Sequence, residues 1–180
     1  MFNFVKKLMF ARLLKMEEGK IVVLNQDMLM EPAILILELM RRLQEVKDSQ
    51  EVMEIIYESS KRCGKEYMQE IKKYFAKSLD KLLEIGMGSL NLAGWGKIIV
   101  EGFDWEKRDG GIVRIENSTM ADLWKKKYGI SKIPVDYIMC GFVTGGLCVI
   151  CDREFEGKEI RCSAMGAKTC EIMIKPVKSD

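Results

Sequence analysis

Apolar positions recur every three or four residues through most of the first half of the chain, and the pattern then turns extended. In Met1–Met16, Val5, Leu8, Met9 and Leu13 share one face while Lys6, Lys7, Arg12 and Lys15 carry the charge, which predicts a basic amphipathic helix. Its charges interrupt the apolar run too soon for a signal peptide or a spanning helix, so its expected role is docking on protein or on a membrane surface. Glu18-Gly19 breaks the pattern, and the β-branched Lys20–Asn25 predicts a strand. After Glu31-Pro32, which a first helical turn tolerates, Ile34, Leu35, Leu37, Leu39, Met40 and Leu43 are apolar around most of the circumference and predict a helix central to the core. Asp48-Ser49 opens a second helix with Val52, Ile55, Ile56, Tyr67 and Ile71 on its apolar face, Gly64 as a candidate kink and Cys63 as a core thiol. A third begins at Ser78 and is expected to stop at Gly86-Met87-Gly88, where glycine can supply a left-handed cap.

Beyond that point Trp95–Trp105 and Ile112–Asn117 flank Arg108-Asp109-Gly110-Gly111, a turn signal that predicts a β-hairpin. Ser118 can cap the short helix suggested by Ala121, Leu123 and Trp124, and Gly129 with Pro134 ends it. From Val135 to Cys151 a buried helical stripe of Val135, Ile138, Met139, Phe142 and Leu147 lies opposite Gly141, Thr144, Gly145 and Cys148. Those small residues leave a groove that another backbone or a ligand could approach closely. Gly157–Arg161 and Glu171–Lys175 read as strands joined by a loop containing Gly166. Helices first, then a hairpin, a helix and two strands fit an α+β arrangement, and the short connections make the strand pairing antiparallel. Residues 1–30 form its N-terminal helix-and-strand segment and 31–180 its main body, one compact domain together.

Composition narrows the chemistry more than the fold. A formal net charge of +2 offers no field for nucleic acid. Histidine is absent, which excludes Ser-His and Cys-His nucleophiles and removes the commonest metal ligand, and no GxGxxG or P-loop is present. Five of the 6 cysteines fall between Asp136 and Ile174, and in a cytoplasmic chain without a secretory signal such density points to a metal site before disulfides. Two tetrads compete for it: Cys148-x-x-Cys151 with Cys162 and Cys170, resembling a zinc ribbon, and Cys140 with Glu159-x-x-Cys162 and Cys170. A helical path to Cys151 favours the second, because ribbon cysteines sit on tight turns; spacing leaves both open.

Asn117-Ser118-x-x-Ala121, then Cys140-Gly141-Phe142-Val143-Thr144-Gly145-Gly146, then Glu159-x-x-Cys162-x-x-x-Gly166-x-x-x-Cys170, resembles the C-terminal half of the 4-vinyl reductase domain over roughly Gly94 to Ile174. The resemblance implies a fold similar to that of TRAPP vesicle-tethering subunits and haem-type nitric oxide sensors, a twisted antiparallel sheet packed against several helices, often as a homodimer. It also implies a structural zinc on Cys140, Glu159, Cys162 and Cys170, a closed shell without a catalytic position. Sensor members of the family bind hydrophobic or aromatic compounds in a pocket between sheet and helices. Candidate wall residues here are Trp95, Phe103, Trp105, Trp124, Tyr137 and Phe142. The expected function is therefore a non-catalytic small-molecule sensor; the alternatives are a reductase or accessory of tetrapyrrole vinyl-group reduction and a structural dimerisation module.

Overall fold

The structure, a computed structural model, describes residues 14–24, 26–46, 49–75 and 78–178. It begins with an antiparallel meander, β1 (Leu14–Glu17), β2 (Lys20–Val23) and β3 (Gln26–Met28), with Leu14 opposite Val23 and Ile21 opposite Met28. This corrects the expectation of one helix over Met1–Met16. Residues 1–13 lie outside the described residues, but Leu14–Met16 is strand, because Glu18-Gly19 forms a turn with Gly19 at φ 75° and folds β2 back along it.

Three helices follow: α1 (Ala33–Val46), α2 (Ser49–Phe75) and α3 (Leu79–Leu92). α1 is peripheral rather than central. Only Leu37 and Met40 are buried, against Met120, while Leu35, Leu39 and Leu43 face outward at 55%, 59% and 40% exposure. Its apolar surface is wide enough to bury one side and still present another. α3 starts as expected, Ser78 Oγ accepting the Lys81 N–H at 3.3 Å, but it does not stop at Gly86–Gly88. Gly86 stays helical because the end of Met68 from α2 fills its missing side chain; a Cβ there would stand 2.6 Å from Met68 Cε. Cys63 is exposed on α2, not a core thiol, and Gly64 faces the backbone of Phe142.

β4 (Lys97–Glu101) and β5 (Gly111–Glu116) pair as the expected hairpin, but β4 stops short of Trp105 and the connection is residues 102–110 rather than the Arg108–Gly111 turn; α4 (Thr119–Tyr128) is capped by Ser118. Then come α5 (Tyr137–Cys151), β6 (Phe155–Arg161) and β7 (Cys170–Pro176), giving an antiparallel sheet in the order β4-β5-β7-β6. Its inner face buries Ile98, Val113, Ile115, Phe155, Ile172 and Ile174, and its outer face carries ion pairs such as Arg114–Glu101 at 2.6 Å. α5 lies against β6 and is crossed intimately by α2. The small-residue trace of α5 is filled by that crossing: Gly141 abuts Tyr57 O and Gly145 abuts Lys61 O. Among the described residues no helix is long and apolar enough to cross a membrane.

Candidate metal centre and apolar groove

On a regular strand, residues three apart point to opposite faces, so Glu159 and Cys162 could not both face inward without an irregularity. The structure supplies one. Glu159 pairs with Ile172 but Arg161 pairs with Glu171, a bulge at Ile160 that leaves Ile160 and Arg161 outside and turns Cys162 back inside. A 3-10 turn at Ser163–Met165 and a left-handed Gly166 (φ 97°) then return the chain, so that Cys170 opens β7 on the same inner face. The result is a buried group in which ligand atoms of Glu159, Cys162 and Cys170 lie within 4.8 Å of one another. Two thiols and a carboxyl in this arrangement could hold a metal ion.

Electrostatics in the group are those of anionic donors crowded out of water. Burial pushes the Glu159 carboxyl up to about 10, with Asp136 and Cys162 adding to the rise. Burial also lifts Asp136 to about 6 and the Cys140 thiol to about 12, the latter helped by Glu159. The Cys170 thiol donates toward Cys162 Sγ at 3.9 Å, which lowers Cys162 to about 6 and raises Cys170 itself. Ser163 N–H donates to Cys170 Sγ at 3.2 Å. Glu159 Oε2 accepts from Asp136 N–H at 3.0 Å, whereas Glu159 Oε1 and Asp136 Oδ1 are buried with no hydrogen-bond partner. Orphaned carboxylate oxygens beside paired thiols are what a cation would satisfy, so the residues fit a metal.

Of the four ligands implied by the resemblance, the structure thus groups three. Cys140 is buried beside Glu159, near enough for its titration to feel that carboxylate, but is not within the 4.8 Å group. Cys148 and Cys151 stand apart from it: Cys148 Sγ accepts the Phe155 N–H at 3.3 Å and faces Glu154. Spacing gave no means of finding Asp136, which becomes visible only when β6 and the start of α5 meet.

The six candidate wall residues do not surround one cavity. Trp95 and Phe142 line an open, largely apolar groove of about 1000 Å³ between the meander, α2, α3 and α5, together with Leu14, Ile21, Val23, Tyr67 and Leu90. Phe142 leans on Tyr67 with ring centroids 5.7 Å apart. Tyr137 lines a separate groove of about 800 Å³, with Tyr57, Cys140 and Glu159, beside the metal-capable group. Phe103 and Trp105 stack at 4.3 Å, with Phe155 against the edge of Phe103, and Trp124 packs on Tyr128. Tyr67, which spacing placed only on an apolar helix face, and Ser89, which it did not single out, lie in the wall of the larger groove, their hydroxyls paired with each other and Ser89 Oγ donating to Gly86 O at 2.7 Å.

Neither the protein-family models nor the curated proteins contain a match to this chain. Solved structures do match. The phenol-responsive sensory domain of the transcription activator PoxR, in a structure with phenol, superposes with a TM-score of 0.83 at 20% identity, covering 98% of this chain and 90% of that one. A vinyl-4-reductase family protein from Methanocaldococcus jannaschii gives a TM-score of 0.54 at 19% identity, over 84% of this chain and 85% of that one. The chain has the 4-vinyl-reductase-like fold. Subunit 3 of the trafficking protein particle complex from Naegleria fowleri, covalently bound to palmitic acid, shares it at a TM-score of 0.55 and 14% identity, over 80% of this chain and 94% of that one. The α+β expectation and the likeness to TRAPP subunits therefore hold for this 4-vinyl-reductase-like chain.

Proposed function

We propose that the chain is a ligand-sensing domain that takes an apolar or aromatic small molecule in the groove walled by Tyr67, Trp95 and Phe142. The observation that carries this is the groove itself: about 1000 Å³ of largely apolar wall with a few convergent polar groups, in a chain whose fold matches a phenol-responsive domain over nearly its whole length. The Tyr67 and Ser89 hydroxyls suit a ring bearing one hydrogen-bonding substituent, so phenols and other substituted aromatics are the expected class. A structural zinc belongs to the same proposal, with Cys140, Glu159, Cys162 and Cys170 as its ligands. Thiolate-rich donor sets favour zinc over the harder divalent cations, and the ion would tie the start of α5 to β6 and β7. Reduced thiols suit a cytoplasmic setting.

A thermal-shift screen of phenols and unsubstituted aromatics tests the groove. A compound at 100 times its Kd adds about 2.7 kcal/mol, which at this chain length corresponds to roughly 5–10 °C in Tm. Ala93→Trp, which fills the groove from an exposed position on its wall, should abolish the shift without unfolding the chain. A flat screen of the unaltered protein would count against the proposal.

The likeness to a vinyl-4-reductase family protein favours one alternative, reduction of a tetrapyrrole vinyl group. Reproducible turnover with a reduced nicotinamide donor would replace sensing by catalysis. We also propose a homodimer. Leu35, Leu39 and Leu43 recur at four-residue spacing along α1 and, with Ile55 of α2, leave an apolar stripe that a second copy would cover. Leu39→Glu should then yield monomers in analytical ultracentrifugation, and an unchanged mass would remove α1 from the interface.

A further inference from the structure

Asp136 stands directly before α5, where an aspartate ordinarily caps the helix, yet its side chain makes no capping bond. Its groups go to the metal centre. Its N–H donates to Glu159 Oε2 at 3.0 Å, its carbonyl accepts the Cys140 N–H at 2.8 Å, and Oδ2 accepts the Ser118 hydroxyl at 2.6 Å. The carboxylate also faces Cys170, whose thiol hydrogen bonds run to Cys162 and Ser163. Oδ1, on a residue only 1% exposed, has no hydrogen-bond partner among the described residues. One residue therefore holds the Glu159 carboxyl through its backbone N–H, faces Cys170 with its own carboxylate, and keeps one oxygen closed off from solvent.

We propose that Asp136 is the positioning residue of the metal centre: its backbone N–H holds Glu159, and its carboxylate, outside the ligand set, faces Cys170 and adds a buried negative charge toward the cation. The inference rests on the zinc reading above. A buried carboxylate with one donor is costly in the absence of a counter-charge, and its attraction to a nearby cation is strong because the local dielectric is low. Outer partners of this kind orient metal ligands and raise their donor strength. Ser118 keeps the carboxylate turned to the centre, and through its own place as cap of α4 it anchors the site to the helix that follows the hairpin.

Asp136→Asn is the decisive variant. The amide oxygen can still accept from Ser118 and the backbone contacts to Glu159 and Cys140 are kept; only the charge is lost. Co(II), whose thiolate charge-transfer band reports the ligand set, is titrated into the full chain against a competing chelator. The expected result is one ion per chain with the wild-type band, an affinity lower by about 10–100-fold, and a metal-free Tm no lower than that of the wild type. Ser118→Ala, which keeps the charge but frees the carboxylate, should weaken binding by a smaller factor. Wild-type affinity in Asp136→Asn overturns the proposal, since the charge then does nothing. A band showing an altered ligand set in that variant also overturns it, because Asp136 would then be an inner ligand. If the unaltered protein binds no cobalt, the zinc reading itself fails, and this inference with it.

Discussion

Two adjacent glycines on α5 provide a controlled test of the α2–α5 crossing. Both lie in the same helix, and replacing a helical glycine by alanine is worth about 1 kcal/mol of stability from backbone entropy alone. Their surroundings differ. A methyl group at Gly146 would meet only Met68 Cε, at 3.6 Å, an ordinary contact with the end of a flexible chain. One at Gly145 would run into Lys61 O and stand 2.9 Å from Lys65 N, backbone atoms that cannot move without shifting α2 as a whole. Overpacking of that kind costs about 1–3 kcal/mol and more where backbone is the obstacle, which exceeds the propensity gain. Gly146→Ala is therefore expected to leave Tm unchanged or raise it by roughly 1–4 °C, and Gly145→Ala to lower it by roughly 3–10 °C, taking about 2–4 °C per kcal/mol at this size. Differential scanning calorimetry of the two variants beside the wild type reads both signs. Equal or reversed shifts would refute the close crossing and, with it, the account of the small-residue trace.

Chelation of a zinc-loaded sample should lower Tm, and Cys162→Ser should lose the metal while Cys148→Ser keeps it; the opposite pairing in metal analysis would move the site to the ribbon-like tetrad. The metal-free chain should lose stability as pH rises from 5 to about 6.5. Glu159 is raised from 4.5 to about 10 and Asp136 from 3.8 to about 6, so across that window the folded state holds protons that the unfolded state has released, and ∂ΔG/∂pH is negative; at higher pH Cys162, lowered from 9.0 to about 6, has given up a proton that the unfolded state keeps, which offsets Glu159 and levels the curve. A metal-free Tm that is flat or rising over the same range would contradict the buried carboxyl pair. Ser118→Ala removes both the cap of α4 and the Asp136 bond, and should cost about 1–3 kcal/mol in urea unfolding; a loss below 0.5 kcal/mol, on the order of a surface change, would show that neither bond matters.

Much of the fold was legible because its signals are local. Ser78 and Ser118 cap helices where the pattern placed them, and the predicted strands pair as a hairpin, although the first stops at Glu101 and residues 102–110, a longer connection than the Arg108–Gly111 signal, join them. Errors arose where a local signal was overruled by a neighbour. Gly86 looked like a helix stop but is a recess for Met68, and the leucines of α1 looked like core but find no partner on their outer side among the described residues. At Leu14–Met16 a helical spacing yielded to strand pairing, which β2 supplies only after the chain turns. The aromatic residues fared similarly: composition identifies large apolar side chains, but which cavity each one faces depends on elements far away in the chain.

For the metal-capable group, the sequence by itself determined the donor types and their spacing, Glu159-x-x-Cys162 with Cys170 8 residues further on, because these are properties of one short segment. Whether such residues share a face was decided by tertiary structure. The bulge at Ile160 brings Glu159 and Cys162 to the same side, and the β6–β7 pairing brings Cys170 to them. Packing of α5 against that sheet then delivers Asp136, 23 residues from Glu159, and leaves one carboxyl oxygen of each buried without a hydrogen-bond partner among the described residues. Spacing can name a set of ligands, but the burial that makes their charge seek a cation exists only once distant parts of the chain have closed over them.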